Sequence, residues 1–394
     1  MQKWYGLVRR VIRELQKNSL RDFIRKVRFY SFGRGKMLWA LNHEDWQQKK
    51  ERAQKFFAEY PSGSSQDQSH IVFIVPGTWI AGGIAVIVRH ANLLQSRGYR
   101  VTLVTQDLKE SFPWYAGQAV PVVPIDRIWS LLESGIDILI ATGWNSAPTV
   151  DLLPAKRKLY FVQLDERRFY AHDEALQNMV AETYRLPFEY VVMAHWMQDW
   201  LRDEFGHEAA YVPNGLDTAV FRPVEPVEPK SARPRVLIEG PIDIPFKGVA
   251  EAQAAVRDLD CDIWMVSGRG TPNPEWRCER FFERVPIDDM PKIYSSCDIL
   301  LKMSTVESFA YPPLEMMACG GVPVILRVSG IEEYAIHEEN CLIIEHAEEA
   351  TAAVRRLLED AVLRKRLSDN GLKTARAWEW CHSADAFEEV LRNK

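Results

Sequence analysis

The sequence predicts an α/β protein of two domains, each built on a parallel sheet. At 394 residues the chain is long for a single core. Short apolar segments of strand length alternate with segments of helical periodicity, as in strand–helix–strand units. A proline-rich, charged stretch at 223–234 separates two such series and suits an interdomain linker.

The composition, with 47% hydrophobic and 26% charged residues, is that of a globular protein. The six cysteines are scattered, without a CxxC pair or a metal-ligand spacing. We therefore expect free thiols and a cytoplasmic location. No apolar run approaches the length of about 18 residues that a membrane span needs, and no signal peptide is visible, so we expect neither.

The N-terminal arm is strongly basic. Residues 1–55 hold 15 Lys or Arg and 5 Asp or Glu, whereas the whole chain has a net charge of −5. Apolar residues recur among the basic ones at helical spacing. Two interpretations stay open: peripheral binding to an anionic inner membrane face, or a helical extension packed on protein. No recognition motif suggests nucleic acid. A polar linker at 61–68 completes the arm, which thus covers 1–68.

The first α/β series begins with an apolar strand at His70–Val75. A glycine-containing loop that ends in Gly82-Gly83 follows it, and then a helix over 84–97 and a strand at Arg100–Thr105. This order is typical of a parallel sheet. Taken alone, the glycine pair is better explained by a tight turn than by a phosphate site.

The most informative segment is 304–326. A loop at 308–311 leads through two prolines into a short helix over 314–319, which ends at a glycine pair before an apolar strand. The start of a helix stabilises an anion such as a phosphate. Glu307 and Glu315 bracket the loop, and an ionised carboxylate can accept hydrogen bonds from both hydroxyls of a sugar diol. A nucleotide sugar carries both groups, a phosphate anion and a sugar diol.

This segment resembles the E-x7-E segment of retaining glycosyltransferases of the GT4 family, which have the GT-B fold. The matching residues are Glu307, Phe309, Pro312, Leu314, Glu315, Met317, Ala318, Cys319, Gly320, Pro323 and Val324. The sequence departs at Ser308 and Ala310, where the family prefers glycine, and at Tyr311. The resemblance covers about 69–394 and implies two Rossmann-like domains that face each other across a cleft, with the basic helical arm as an N-terminal extension.

The resemblance also implies which domain binds which substrate. The first domain, 69–225, would bind the acceptor, and the second, 226–375, the nucleotide-sugar donor. A C-terminal helix within 376–394 would cross back to the first domain.

Few cations are expected at the donor diphosphate. Lys247-Gly248 match the family pattern, but Pro241 stands where the family has an arginine. Arg269, in a turn between two glycines, is the candidate to replace this arginine at the diphosphate. It is equally well explained as a solvent-exposed turn residue without a role in binding. When no metal ion stabilises the negative charge of the leaving diphosphate, a cationic side chain has to do so. Lys247 is therefore a firmer candidate than Arg269.

Three further donor-site features follow from the resemblance. The glycine pair Gly82-Gly83 would approach the donor phosphates and the acceptor. Backbone near Val285 would meet the base. The aspartates at 258–262 have D-x-D spacing, but they precede a strand, on the side away from its ligand-binding end, so we expect no metal site there. No metal or other cofactor is expected.

The acceptor side rests on the segment 158–185, which resembles a rhamnosyltransferase-like branch of the family. The matching positions are Tyr160, Phe161, Val162, Gln163, Glu166, Phe169, Tyr170 and 181–185. Gln163, Asp165 and Glu166 are therefore acceptor-side candidates. Leu164 replaces the aspartate of that branch, so which acidic residue faces the acceptor stays open. An equally good explanation is that Asp165 and Glu166 are solvent-exposed loop residues without a role in acceptor binding.

Together these features predict a retaining, metal-independent glycosyltransferase of hexosyltransferase type. It would move a sugar from a nucleoside diphosphate to a glycan or lipid-linked acceptor, in the assembly of cell-surface polysaccharide or glycan. Glu307 and Lys247 would be catalytic and Glu315 would hold the ribose diol. Glu307 and the amides of Phe309 and Ala310, beside Ser308, would place the sugar.

Two functions of other classes stay open. One is a nucleotide-sugar epimerase or hydrolase with a GT-B-like fold. The other is a non-catalytic glycan-binding subunit, which the missing arginine would allow.

Overall fold

The computed structural model of the protein describes residues 69–115 and 117–392. The predicted basic arm at 1–68 lies outside the described residues. Within these two ranges no helix is both long and apolar enough to cross a membrane.

Two sheets organise the chain. The strands of the first are β1 (His70–Val75), β2 (Arg100–Thr105), β3 (Val122–Pro124), β4 (Ile138–Ala141), β5 (Arg157–Val162), β6 (Glu189–Val192) and β7 (Ala209–Tyr211). The strands of the second are β8 (Arg235–Glu239), β9 (Asp262–Ser267), β10 (Arg280–Glu283), β11 (Ile299–Lys302), β12 (Val322–Leu326) and β13 (Leu342–Ile344).

Helices connect most of these strands. They are α1 (Gly82–Ser96), α2 (Trp129–Ser134), α3 (Ala147–Leu152), α4 (Glu174–Thr183), α5 (His195–Phe205), α6 (Val249–Val256), α7 (Met290–Ser296), α8 (Tyr311–Ala318), α9 (Ala350–Glu359), α10 (Ala361–Arg376) and α11 (Trp380–Arg392). Short 3₁₀ segments occur at Ile125–Arg127, Glu166–Tyr170, Pro245–Lys247, Ile287–Asp289 and Ala347–Glu349.

The chain forms two compact units. Of the described residues, the first unit contains those from 69 to 191 together with Leu201–Ala209, and the second contains Val192–Trp200 and those from 210 to 392, including α11. The predicted roles of the two domains, acceptor binding and donor binding, stay predictions.

The first unit is built on the sheet β3-β2-β1-β4-β5-β6-β7. Strand β1 pairs in parallel with β2 on one side and β4 on the other, so Ile71 lies opposite both Val101 and Ile138. All six residues of β1 are buried, as expected for a strand covered on both faces. The strand order reverses between β1 and β4, and ligands bind at the carboxyl ends of strands at such a reversal.

The second unit repeats this plan in the sheet β10-β9-β8-β11-β12-β13. Strand β8 pairs in parallel with β9 and β11, and the order reverses between β8 and β11. The strand residues Val236, Ile238, Ile299 and Leu301 belong to one buried apolar core with residues of α6, α9 and α10. The loops that follow β8 and β11 therefore start from a rigid base.

Most predicted strands are confirmed, four of them with the same first and last residues: β1, β2, β8 and β12. Two helices start earlier than the sequence suggests. Helix α1 begins at Gly82, because Ala81 is the last extended residue and both glycines adopt helical angles. Helix α8 begins at Tyr311, so its two prolines occupy the first turn, where their missing N–H groups cost little.

Candidate active site

An ion pair between Lys247 and Glu307 occupies the strand-order reversal of the second sheet. Lys247 ends the 3₁₀ segment after β8, and Glu307 lies in the loop after β11. The Lys247 Nζ is 2.7 Å from the Glu307 Oε1. The two loops can approach because Gly248 has a φ of 64° and no side chain: a Cβ there would lie 2.1 Å from the Met303 carbonyl oxygen. The two predicted catalytic residues are thus in direct contact.

A third charged residue, Lys302, joins this pair. Lys302 is the last residue of β11, and its Nζ is 3.9 Å from the Glu307 Oε1 and 3.1 Å from the Glu239 Oε2. Burial alone would raise the pKa of Glu307, but the ammonium groups of Lys302 and Lys247 outweigh it and hold that pKa below its ordinary value. Glu307 is therefore ionised at neutral pH.

Sequence reasoning missed Lys302. The sequence did contain a signal for it, since a lysine is the last residue of the apolar strand Ile-Leu-Leu-Lys. A charge buried in such a strand needs a partner of opposite charge. Burial by itself would lower the pKa of Lys302, yet the neighbouring carboxylates of Glu239 and Glu307 raise it above its ordinary value. The partner at Glu239 becomes evident only when β8 and β11 are known to be neighbours.

Glu315 lies on α8, and its hydrogen-bond partner is a tyrosine and not a lysine as for Glu307. The Tyr294 hydroxyl donates a hydrogen bond of 2.9 Å to its Oε2. Burial raises the pKa of Glu315 to about 8, aided by the charge of Glu239 and opposed by the Tyr294 hydrogen bond and by Lys302. The carboxyl is therefore mostly protonated at neutral pH in the free protein.

The loop at 308–310 is fixed by its surroundings. The Phe309 ring is buried against Tyr334 and Trp378, at centroid distances of 5.4 and 5.3 Å. The Tyr334 hydroxyl donates to the Ala310 carbonyl at 2.6 Å. The Phe309 side chain thus anchors the loop, and only its backbone can meet a ligand. Within the described residues the amides of Phe309 and Ala310 donate no hydrogen bond.

Ala310 has left-handed backbone angles, with φ 52° and ψ 72°. This conformation is costly for any residue with a Cβ. It explains why a glycine is preferred here in the family that the sequence resembles.

Ala310→Gly should therefore stabilise the protein by roughly 0.5–1 kcal/mol, because relief of the strain exceeds the extra chain entropy of glycine. Urea unfolding of the purified variant measures this difference. Ala352→Gly, in the exposed face of α9, is the matched control and should destabilise by about the same amount. A loss of stability in Ala310→Gly would contradict the strain assigned to this position.

Two other predicted donor-site residues lie further out. The Arg269 guanidinium is 2.8 Å from the Asp243 carboxylate, and its side chain is 66% exposed. Val285 follows β10 and is half-buried. Their predicted roles stay predictions.

The glycine pair of the first unit forms the start of α1, after β1. A Cβ on Gly82 would meet nothing within 4 Å, whereas one on Gly83 would lie 3.0 Å from the Gln163 Oε1. The Gln163 amide nitrogen donates to the Thr142 carbonyl at 3.2 Å, which fixes the orientation of the amide. Its Oε1 is buried without a hydrogen-bond partner among the described residues. This oxygen is free to accept from a ligand.

Glu166 and Asp165 have different environments. The Glu166 Oε2 accepts from the Trp144 amide at 2.7 Å and from the Tyr160 hydroxyl at 3.2 Å. Burial raises the pKa of Glu166 to about 7, against the lowering effect of these two hydrogen bonds. Asp165 instead is paired with Arg167 at 2.8 Å. Of the two acids, Glu166 has the environment of a functional group.

Gly143, which follows β4, links Glu166 to a second polar side chain. A Cβ on Gly143 would lie 3.3 Å from both the Glu166 Oε1 and the Asn145 Oδ1. The Asn145 oxygen is also buried without a partner among the described residues. Gln163, Glu166 and Asn145 therefore present oxygen acceptors beside the strand-order reversal of the first sheet.

The described residues contain no group of three or more His, Cys, Asp or Glu side chains arranged to hold a metal ion.

Comparison with known proteins identifies a related family. Residues 279–374, which include Glu307, Glu315 and Lys302, match the family described as glycosyl transferases group 1. The chain contains a group 1 glycosyltransferase domain. The resemblance seen in the sequence to glycosyltransferases of this type is thereby confirmed.

Two relatives show the extent of the similarity beyond the group 1 domain. O-antigen biosynthesis protein RfbC of Myxococcus xanthus is 27% identical over 80% of this chain and 26% of its own length. The MMP alpha-(1->4)-mannosyltransferase of Mycolicibacterium hassiacum is 27% identical over 42% of this chain and 43% of its own length. The chain thus matches less than half of either relative.

Two solved structures share the fold of both units. Sucrose-phosphate synthase of Thermosynechococcus elongatus has a TM-score of 0.70 at 17% identity, over 82% of this chain and 98% of its own. Anabaena Alr3699/HepE in complex with UDP-glucose has a TM-score of 0.66 at 15% identity, over 82% of this chain and all of its own. The GT-B class is therefore confirmed for the two parallel sheets.

Proposed function

We propose that this chain transfers a sugar from a nucleoside diphosphate to a hydroxyl group of a glycan or lipid-linked acceptor during the assembly of cell-surface polysaccharide or glycan. The observation that carries the proposal is the contact between Lys247 and Glu307 at the strand-order reversal of the second sheet. In support of the proposal, this cation and this ionised carboxylate lie at the carboxyl ends of the central strands, the edge at which ligands bind in sheets of this kind. The similarity to an O-antigen biosynthesis protein supports the acceptor class.

In the donor half, Lys247 would leave Glu307 and engage the diphosphate. Negative charge grows on the departing phosphate in the transition state, so a cation held there stabilises that state more than the ground state. The free amides of Phe309 and Ala310 would add hydrogen bonds. Glu315 would hold the ribose diol, and Glu307 would position the sugar. Transfer would proceed with retention and without a metal ion.

In the acceptor half, the side-chain oxygens of Gln163 and Asn145 are buried without a hydrogen-bond donor among the described residues, and Glu166 lies beside Asn145. A sugar hydroxyl supplies such a donor, whereas a phosphate at this position would be repelled. Because the pKa of Glu166 is raised to about 7, this carboxyl can take up or release a proton at physiological pH. We therefore propose an uncharged, hydroxyl-bearing acceptor group at this end of the first sheet.

The first experiment identifies the donor. Thermal shift of the full chain with UDP-, GDP- and dTDP-sugars selects the nucleotide, and chromatography of the products then measures turnover with and without glycan acceptors. UDP-sugars are tested first, since Alr3699/HepE was solved with UDP-glucose.

Lys247→Ala should lower kcat/KM for the donor by about 100-fold or more, through loss of charge stabilisation on the leaving phosphate. The matched control is Lys292→Ala, an exposed lysine paired with Asp289, which should keep its activity. Normal turnover by Lys247→Ala would refute the role of this residue. Sugar release or isomerisation that does not depend on an acceptor would favour a hydrolase or epimerase, and nucleotide binding without any turnover would favour a non-catalytic subunit.

A further inference from the structure

Lys302 is the most deeply buried cation at the strand-order reversal of the second sheet, as far as the described residues show. Its side chain is 4% exposed. Its ammonium group donates to the Glu239 carbonyl at 3.0 Å and to the Glu239 carboxylate at 3.1 Å. An ammonium group is tolerated at such a position only when it is paired, so these contacts hold it in place.

The register of the sheet places this ammonium beside the loop that begins at Gly240. Leu301 of β11 lies opposite Ile238 of β8, and Lys302 is next along the strand, towards Glu239. A Cβ on Gly240 would lie 3.7 Å from the Lys302 Nζ. The following residue is Pro241, where the resembled family has an arginine. A cation thus reaches the start of this loop from the neighbouring strand.

The two lysines beside Glu307 differ in their freedom to move. Lys247 approaches Glu307 to 2.7 Å from a side chain that is 21% exposed, whereas Lys302 stands 3.9 Å away and is anchored by Glu239. If Lys247 turns to a phosphate, Glu307 loses its closest cation. Lys302 cannot move to the phosphate with Lys247, because it would lose its hydrogen bonds to Glu239.

We propose that Lys302 is a positioning residue for the transfer reaction: it keeps the Glu307 carboxylate ionised and in place while the Lys247 ammonium engages the donor diphosphate. This inference rests on the proposed function. It accounts for the use of two lysines around one carboxylate.

The test compares Lys302→Met with Lys302→Arg, using the donor found for the wild type, over pH 5 to 9. Without the Lys302 charge, Glu307 should protonate at a higher pH once Lys247 is engaged. The acid limb of kcat should therefore move up by about one pH unit or more. At neutral pH we expect kcat to fall about tenfold or more with a small change in donor KM, and Lys302→Arg to recover most of it.

A purely structural role would lower the rate without moving the acid limb, and that result would overturn the inference. Lys302→Met leaves Glu239 without its partner, so the double variant Glu239→Gln/Lys302→Met provides the measurement if the single variant does not fold. If the folded variant has the same acid limb of kcat as the wild type, the inference about Lys302 is refuted, but the proposed function is not. Absence of turnover by the wild type with every nucleotide sugar would refute the proposed function and the inference with it.

Discussion

Glu315→Gln should abolish donor binding and at the same time make the free protein more stable. Burial raises the pKa of Glu315 to about 8. Between its unfolded pKa, about 4.5, and 8, the folded state binds a proton that the unfolded state has released. Stability therefore falls as the pH rises through this window. Glutamine removes this penalty and still accepts the Tyr294 hydrogen bond, but it cannot become an anion for the ribose diol.

The expected gain is on the order of 4 kcal/mol at pH 8 and close to zero at pH 4, because each unit of pKa shift corresponds to about 1.4 kcal/mol. Urea unfolding at the two pH values measures it, and calorimetry with the free nucleotide measures the loss of affinity. Glu251→Gln, at an exposed position of α6, is the control and should change neither quantity. Wild-type nucleotide affinity in Glu315→Gln would remove Glu315 from the donor site. Equal stability at pH 8 would contradict the raised pKa.

Gly330→Ala should be among the most destabilising single-methyl changes in the second unit. Gly330 has a φ of 89°, and a Cβ there would lie 1.8 Å from the Ser308 carbonyl oxygen and 2.9 Å from the Phe309 nitrogen. The left-handed angle alone costs about 1–2 kcal/mol. The overlap with the 308–310 loop cannot be relieved without moving that backbone, so we expect a total cost of about 3 kcal/mol or more.

The chain offers a close control in Gly98, which has a φ of 94° and nothing within 4 Å of an added Cβ. Gly98→Ala should therefore show the cost of the backbone angle alone. The difference between the two variants in denaturant unfolding isolates the contact with the 308–310 loop. Gly330→Ala should also weaken nucleotide binding, whereas Gly98→Ala should not. Equal destabilisation by the two changes would show that the loop can shift freely.

The sequence was sufficient to predict the two parallel-sheet units and the segment 304–326, because strand length, turn glycines and the spacing of Glu307 and Glu315 are local properties. The contact between Lys247 and Glu307 is consistent with the predicted catalytic pair. The domain limits and the roles of individual residues stay predictions.

The rest depends on tertiary neighbours. Glu239 lies 63 residues from Lys302 along the chain, and only the pairing of β8 with β11 brings them together. Likewise, the environments that separate Glu166 from Asp165 come from Trp144 and Tyr160 on one side and Arg167 on the other. No local pattern indicates which of two adjacent acids will lack an arginine partner. The start of α1 was predicted two residues too late because glycine is a weak helix former, yet Gly82 and Gly83 both lie in the first turn of this helix.

The parallel pairing at the centre of each sheet has a consequence for how the protein is made. Ile71 of β1 pairs with Ile138 of β4, and Val236 of β8 pairs with Ile299 of β11. Each central pairing must close a long stretch of chain before it gains any contact energy, so folding should be slow compared with that of a protein rich in hairpins. During synthesis β1 must wait for β4 to emerge, with its apolar edge unpaired. Low temperature and slow expression should therefore increase the yield of folded protein.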